Sequence, residues 1–363
     1  MSSLHDATGT IHIHSAYSYD GRVPVPRIMA AAQRCGLDFV MLTDHETLQA
    51  RQDGLEGWHS GTLLVVGQEV APRFNHYLVF GMDTVVPLPP VGTPPQFYVD
   101  AVNAVGGIGL IAHPDHEGTS LFRVKPYPWR DWSVRGFTGM SIWDFMTDWQ
   151  CSLRSWPTAL LSYWWPGLFL TGPKQETLAR WDRLNHQGRL VGFGELDNHA
   201  TRKRIGCLTL SVFPFIKAFR FVRTHLLTEE PLTGSAPADI TTLLQALRRG
   251  RAYFSQECFC PAAGFSFSIA EGRRRAWMGD ELILVREAVA TVVLPAAAVG
   301  RIRLLCNGRL EATAVGGGLS RPVATAGAYR VEVELHAAGR YRPWIFSNPI
   351  YVRTTAAPGS TGA

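Results

Sequence analysis

Short apolar runs recur through the first two thirds of the chain, with segments of helical period between them. Residues 10–14 read as a strand. Residues 27–35 read as an Ala-rich helix stopped by Gly36, a natural C-terminal cap. Residues 37–43 form a continuous apolar run, the pattern of a strand buried on both faces. Further strands are predicted at 63–66, 77–80, 108–112 and 190–193, and helices at 97–105, 175–187 and 241–249. This alternation predicts an α/β fold with parallel strands. After residue 258 the pattern becomes strict alternation, at 264–269, 290–294, 302–305, 329–335 and 350–353. Turn signals such as Asn307-Gly308 and Gly316-Gly317-Gly318 separate these runs. That is the signature of a small all-β sandwich. The expected organisation is a barrel over 1–258, a sandwich over 259–355 and a disordered tail over 356–363.

Two stretches fit neither pattern. Residues 85–95 are Pro-rich and read as a rigid connector. Residues 127–170 hold seven of the chain's eleven tryptophans, which marks them as an insertion. It either packs on the barrel with its own small core or forms an aromatic wall over the site. A dimer surface or a membrane-surface contact is a further option.

Composition narrows the class. Hydrophobic residues make up 46% of the 363 and charged ones 18%, as in a core-forming globular protein. The net charge is +5, and its cations are spread without the tracts of a nucleic-acid reader. No Cys-x-x-Cys occurs among the six cysteines, and their spacing suggests no disulfide framework. The N-terminal residues lack a basic start and apolar core, and no apolar stretch is long enough to span a bilayer. The expectation is a soluble, cytoplasmic protein.

The candidate chemistry begins at Ile11-His12-Ile13-His14. On a strand, this alternation places two imidazoles on one face, a ready chelating pair. Similar groups recur where the predicted strands end: Asp20 in Ser18-Tyr19-Asp20-Gly21, His45 in Thr43-Asp44-His45, Glu69, His76, His113 before Pro114, and Asp197 and His199. A (β/α) barrel displays its site at these C-terminal strand ends. Each group alone has a plain structural reading as a cap or a turn residue. Burying all of them together is costly unless they share cations. The other histidines (His5, His59, His116, His186, His225 and His336) read as unremarkable.

The ordered series His-x-His, Ser-x-Asp-Gly, Thr-Asp-His, Gly-x-Glu, Ala-His-Pro and Asp-x-His resembles the PHP (polymerase and histidinol phosphatase) superfamily of metallohydrolases over residues 9–203. Residues 247–253 and 343–352, with the β-rich tail, resemble the CehA/McbA-type branch. The resemblance implies a distorted (β/α)7 barrel followed by an immunoglobulin-like domain. It implies two to three divalent metals. His12, His14, Glu69 and Asp197 would hold the first. Glu69, His76 and His113 would hold the second, with Glu69 bridging. Asp20, His45 and His199 would hold the third. One departure concerns a Glu-x-x-Asn element that many members carry. Here that region reads Ile142-Trp143-Asp144-Phe145, and Asp144 is read as structural.

Imidazole and carboxylate ligands without thiolate favour Zn²⁺, Mn²⁺ or Fe²⁺. A water shared by the two metals that Glu69 bridges would supply hydroxide near neutral pH. Glu69 and Asp197 are therefore expected to be catalytic. Arg22, with Arg202 and Lys203, is a candidate grip on phosphate oxygens. The expected activity is phosphoester hydrolysis on a small anionic or aromatic ester. The alternative is a carboxylic or carbamate ester, since the CehA/McbA branch includes carbaryl hydrolases and the Trp-rich stretch suits an aromatic substrate.

Overall fold

The computed structural model describes residues 4–205, 208–295 and 297–354. The expected disordered tail and Cys207 lie outside the described residues, as does the side chain of Lys203. The chain is a mixed α/β protein built on one large mixed sheet. Its N-terminal part, to Gln256, contributes β1 (His5–Ile11), β2 (Phe39–His45), β3 (Thr62–Val70), β4 (Tyr77–Phe80), β5 (Ile108–Ile111), β6 (Gly139–Asp144), β7 (Val191–Glu195), β8 (Val222–Thr228) and β9 (Ala252–Gln256). The spatial order is β9-β8-β1-β2-β3-β4-β5-β6-β7.

β1, β2 and β3 pair in parallel, with Phe39 opposite Leu63 and His45 opposite Glu69. β4 runs antiparallel to both β3 and β5, and β5, β6 and β7 are again parallel. Six strands therefore point the same way and end at one rim. β2, β3 and β4 are buried at every position, which explains their unbroken apolar runs. The rim is drawn together where the chain leaves β7: Leu196 N donates to Ile11 O (3.1 Å), Asp197 N to His12 O (2.9 Å) and His14 N to Asn198 O (3.1 Å). These bonds join the β7 end of the sheet order back to the end of β1.

Helices link several of these strands, and two of them, at Phe145–Cys151 and Trp156–Trp164, lie outside the helices that the sequence predicts. α1 (Val25–Arg34) joins β1 to β2, α2 (Gln96–Ala104) joins β4 to β5, and α3 (Phe145–Cys151), α4 (Trp156–Trp164) and α5 (Gln175–Gln187) join β6 to β7. α6 (Ala236–Arg249) joins β8 to β9 and ends on Gly250 in the left-handed conformation. The link from β5 to β6 is a long loop. Among the described residues no helix is long and apolar enough to cross a membrane.

Three expectations need correction. The first strand runs His5–Ile11 and stops before the His-x-His pair, because His12 adopts φ 67°. The antiparallel β4 interrupts the expected parallel order. The segment read as an insertion contains β6, a central strand buried at every position. Its Trp143 and Trp149 join the main core together with Trp129. Tryptophan density hid a strand whose apolar residues are interrupted by Ser141 and Asp144.

The C-terminal strands form two layers around a second core that includes Phe267, Ile269, Val331, Val333 and Trp344. One layer continues the main sheet directly, because Arg340–Ser347 pairs antiparallel with β9. The buried Asn348 staples this junction. Its amide nitrogen donates to Gly192 O (2.7 Å) and Ala252 O (3.0 Å), and its oxygen accepts from Gly192 N (2.8 Å). Asn348→Ala leaves these buried backbone groups unpaired. It is expected to destabilise the fold by about 2–4 kcal/mol, read from urea unfolding. A loss under about 0.5 kcal/mol would show that the staple is idle.

Candidate metal centre

Elementary topology assembles the site. β1, β2, β3 and β5 deliver His12, His14, His45, Glu69 and His113 to one rim. β4 starts at that rim and so brings His76 there, while the turn after β7 brings Asp197 and His199. The loop after β1 carries Asp20. Gly21 beside it packs so closely that a Cβ would lie 1.8 Å from the Ser15 carbonyl oxygen. Ser15 is itself held by Asp44, which accepts from its N–H and its hydroxyl, both at 2.6 Å. Asp44 thus ties the Asp20 loop to β2.

Glu69 is the centre of the arrangement and is buried. Its Oε2 lies 3.2 Å from His12 Nε2, 3.3 Å from His14 Nε2 and 3.3 Å from His45 Nδ1. Its Oε1 lies 2.8 Å from His76 Nδ1 and 3.3 Å from His113 Nε2. One carboxylate therefore meets five imidazoles. Asp197 Oδ1 completes a further set, 3.4 Å from His12 Nε2 and 3.5 Å from His14 Nε2. Asp20 Oδ2 holds a third set, 3.1 Å from His45 Nε2 and 3.0 Å from His199 Nε2. His14 faces this third set too, its ring stacked 4.1 Å from that of His199.

These donors fit divalent cations. The two Nε2 atoms of His12 and His14 approach to 3.1 Å. With Glu69 Oε2 and Asp197 Oδ1, five of the six separations among four donor atoms fall between 3.1 and 3.5 Å. A tetrahedral shell with ligand distances of about 2.0–2.1 Å has edges of about 3.3–3.4 Å. Glu69, His76 and His113 form a second group with donor atoms within 4.8 Å of one another, and His14, Asp20, His45 and His199 form a third. His113 Nδ1 is buried without a hydrogen-bond partner among the described residues.

Carboxylate and carbonyl partners fix the rings. His12 Nδ1 lies 2.7 Å from Glu195 Oε2, which turns Nε2 inward. The other Glu195 oxygen accepts from His113 N at 2.6 Å. His199 Nδ1 lies 3.2 Å from the Asp197 carbonyl oxygen. Glu195 was not singled out from the sequence, although a carboxylate closing an apolar strand two residues before Asp197 was a usable signal. His116, read as unremarkable, is buried beside the centre with its ring 5.6 Å from that of His113. His225, also read as unremarkable, is buried between Asp6 and Glu257 and belongs to none of these donor groups. Asp144 caps α3, accepting from Met146 N and Thr147 N.

Backbone strain marks the same place. Among the described residues, twelve non-glycine residues have positive φ. Six of them are ligand candidates or their chain neighbours: His12, Glu46, Asn75, His113, Asp197 and Ala200. Each such conformation costs on the order of 1–3 kcal/mol and persists only where the surroundings enforce it.

The walls are aromatic. The Tyr19 ring stacks 4.7 Å from that of His45, and the Tyr127 ring lies 5.5 Å from that of His76. A cavity of about 100 Å³ opens beside His113, lined by Asp144, Thr147, Lys174 and Thr177 among others. Arg22 and Arg202 are exposed, and neither forms an ion pair with a carboxylate among the described residues.

Electrostatics couple these groups tightly. Burial alone would raise the Glu69 carboxyl, but His12, His45 and His76 hold it well below its ordinary range. Burial would lower His45 and His113, yet neighbouring carboxylates, Glu69 foremost, lift each to about 9. In the metal-free protein these two imidazoles contribute stability fully below about pH 6.5, and that contribution is lost as pH rises through about 9. Cations would replace those protons. The melting temperature of the chelator-treated protein is therefore expected to fall between pH 6.5 and 9.5. That of the Mn²⁺-loaded protein should fall less; equal slopes in the two forms would contradict proton–metal exchange at this cluster.

No family model matches the chain, and no curated protein matches it. Among solved structures, it is similar to a two-domain protein from Bacteroides vulgatus described as containing a predicted PHP-like metal-dependent phosphoesterase, at 15% identity and TM-score 0.44, over 95% of each chain. A second likeness is to a candidate metal-dependent phosphoesterase from Bifidobacterium adolescentis, at 15% identity and TM-score 0.34, over 58% of this chain and 94% of that one. Both likenesses are too loose to transfer chemistry.

Proposed function

We propose that this chain is a metal-dependent phosphoesterase of PHP type. In this reading a distorted (β/α)7 barrel over 1–258 carries the centre, and an immunoglobulin-like sandwich over 259–355 supports it through β9. The observation that carries the proposal is the Glu69 carboxylate with five imidazole nitrogens within 3.3 Å. A buried carboxylate so surrounded is suited to hold cations on both of its oxygens.

His12, His14, Glu69 and Asp197 are assigned to one cation, Glu69, His76 and His113 to a second, and Asp20, His45 and His199 to a third. Zn²⁺, Mn²⁺ and Fe²⁺ all suit these donors. Bound cations would supply an acidified water and neutralise charge on substrate oxygens. The chain's own residues do the rest. Glu195 fixes the His12 ring, and the Asp197 carbonyl fixes that of His199. Asp44 and Ser15 hold the Asp20 loop. Arg22, exposed beside Asp20, is free to grip a phosphate oxygen.

A second reading is hydrolysis of a carboxylic or carbamate ester. The aromatic walls of Tyr19 and Tyr127 favour it, since they offer flat faces to an aryl group. Turnover of p-nitrophenyl phosphate, bis-p-nitrophenyl phosphate and 1-naphthyl N-methylcarbamate by the Mn²⁺- and Zn²⁺-loaded protein separates the two. The proposal predicts hydrolysis of at least one phosphate ester. Turnover of the carbamate alone would reject it.

A further inference from the structure

We propose that the exposed face of α4, with the turn that follows it, is a docking surface for an anionic lipid bilayer. The inference is independent of the reading of the metal centre. α4 turns Trp156, Leu160, Leu161 and Trp164 to solvent, at positions i, i+4, i+5 and i+8, which lie on one side of a helix. Trp156, Leu160 and Trp164 are each 60% exposed. Trp165, at 57%, and Leu168 extend the patch beyond the helix end. The opposite side is anchored inward: Ala159 and Ser162 are buried, and Trp149 Nε1 donates to Ser162 Oγ at 3.1 Å. The helix is thus seated by one face while the more apolar face is left bare.

Charge identifies the occupant. Residues 149–175 contain Arg154 and Lys174 and no carboxylate. Three more cations reach the patch from elsewhere in the fold. Lys217 Nζ donates to the Tyr163 carbonyl and lies 5.9 Å from the Trp164 ring. Arg340 and Arg342 both donate to the Leu168 carbonyl oxygen at 2.9 Å. Their partners are carbonyl oxygens. Among the described residues none of Arg154, Lys217, Arg340 and Arg342 forms an ion pair with a carboxylate; Arg342 is buried, so the charge offered to solvent is that of exposed Arg154 and Arg340 and half-buried Lys217. Tryptophans flanked by unpaired cations suit an interface in which indoles sit at headgroup depth and cations meet anionic lipid. A second copy suits the patch less well, because a two-fold contact would set these cations against their own equivalents.

The patch also adjoins the centre. Trp156 packs edge-on against Phe122, with ring centroids 5.3 Å apart, in the loop that carries His113 and Tyr127. Tyr163 donates its hydroxyl to Ser211 O, and Ser211 Oγ donates to Ala200 O beside His199. A bilayer under α4 would lie next to both loops.

Co-sedimentation of the full chain with vesicles tests the proposal. One set is phosphatidylcholine alone, and the other is equal parts phosphatidylcholine and phosphatidylglycerol. Partition into the anionic vesicles should exceed that into the neutral ones by about tenfold or more and should weaken with salt. W164S/W165S should reduce it about tenfold or more, while V315S, at an equally exposed apolar site on the sandwich, should leave it unchanged. Should the double variant melt early, L160S reads the same patch. Equal partition into the two vesicle sets, or full partition by folded W164S/W165S, would overturn the proposal. So would light scattering that finds a wild-type dimer which W164S/W165S dissolves, since the patch would then belong to a second copy.

Discussion

Glu69→Gln is expected to strip at least one cation from the centre and to lower turnover on the order of 10³-fold or more. Glutamine keeps the shape of the side chain but offers one neutral oxygen in place of two charged ones. The five imidazoles around Glu69 would lose the anion that offsets them. Removing one member of a buried charge pair commonly costs about 3–5 kcal/mol, and here ring deprotonation would recover part of that. The variant should therefore fold, less stably, with His45 and His113 titrating closer to 6.5 than to 9. Metal analysis, circular dichroism and phosphate-ester turnover on the same sample check this. A folded variant with full metal content and more than a tenth of the activity would remove Glu69 from its bridging role.

Glu195→Gln should have the next largest effect, although Glu195 faces no substrate. It would weaken metal affinity or activity by about 10–100-fold. The carboxylate lies 2.7 Å from His12 Nδ1 and accepts from His113 N, so it orients two ligands from opposite sides of the rim. Glutamine can keep one of these contacts but not the charge that makes His12 a better donor. A metal titration of wild type and variant, read by turnover at each metal concentration, separates positioning from ligation. The expected shift is in the metal concentration for half-activity, with activity approached again at saturating metal. An unchanged titration would make Glu195 purely structural. Loss that no metal concentration recovers would make it a ligand.

The sequence made the candidate set legible because each candidate except Asp20, which lies in the loop after β1, stands at or near the end or start of a short apolar strand. Six strands ending at one rim then gather those ends without further instruction. The convergence itself was not legible. The His12-x-His14 pair was read as strand alternation, yet His12 departs from the strand at φ 67°. Its approach to His14 depends on hydrogen bonds between residues 11–14 and 196–198, a long-range closure that no local pattern encodes. β4 was found as a strand, but its antiparallel direction follows from the short link between β3 and β4, which leaves no room for a crossover helix. β6 is not legible because Ser141 and Asp144 interrupt its apolar residues and leave no continuous run. The place of Glu195 at the end of an apolar strand is a sequence signal, but the rings that it and His116 touch across the sheet have none.

The most direct test is metal content. The purified protein, equilibrated with Mn²⁺ at pH 7.5 and freed of excess, should retain two to three equivalents by elemental analysis, and chelation should remove metal and phosphate-ester hydrolysis together. Retention of fewer than two equivalents, or hydrolysis that survives complete metal removal, would contradict a centre in which Glu69 bridges cations held by His12, His14, His76, His113 and Asp197.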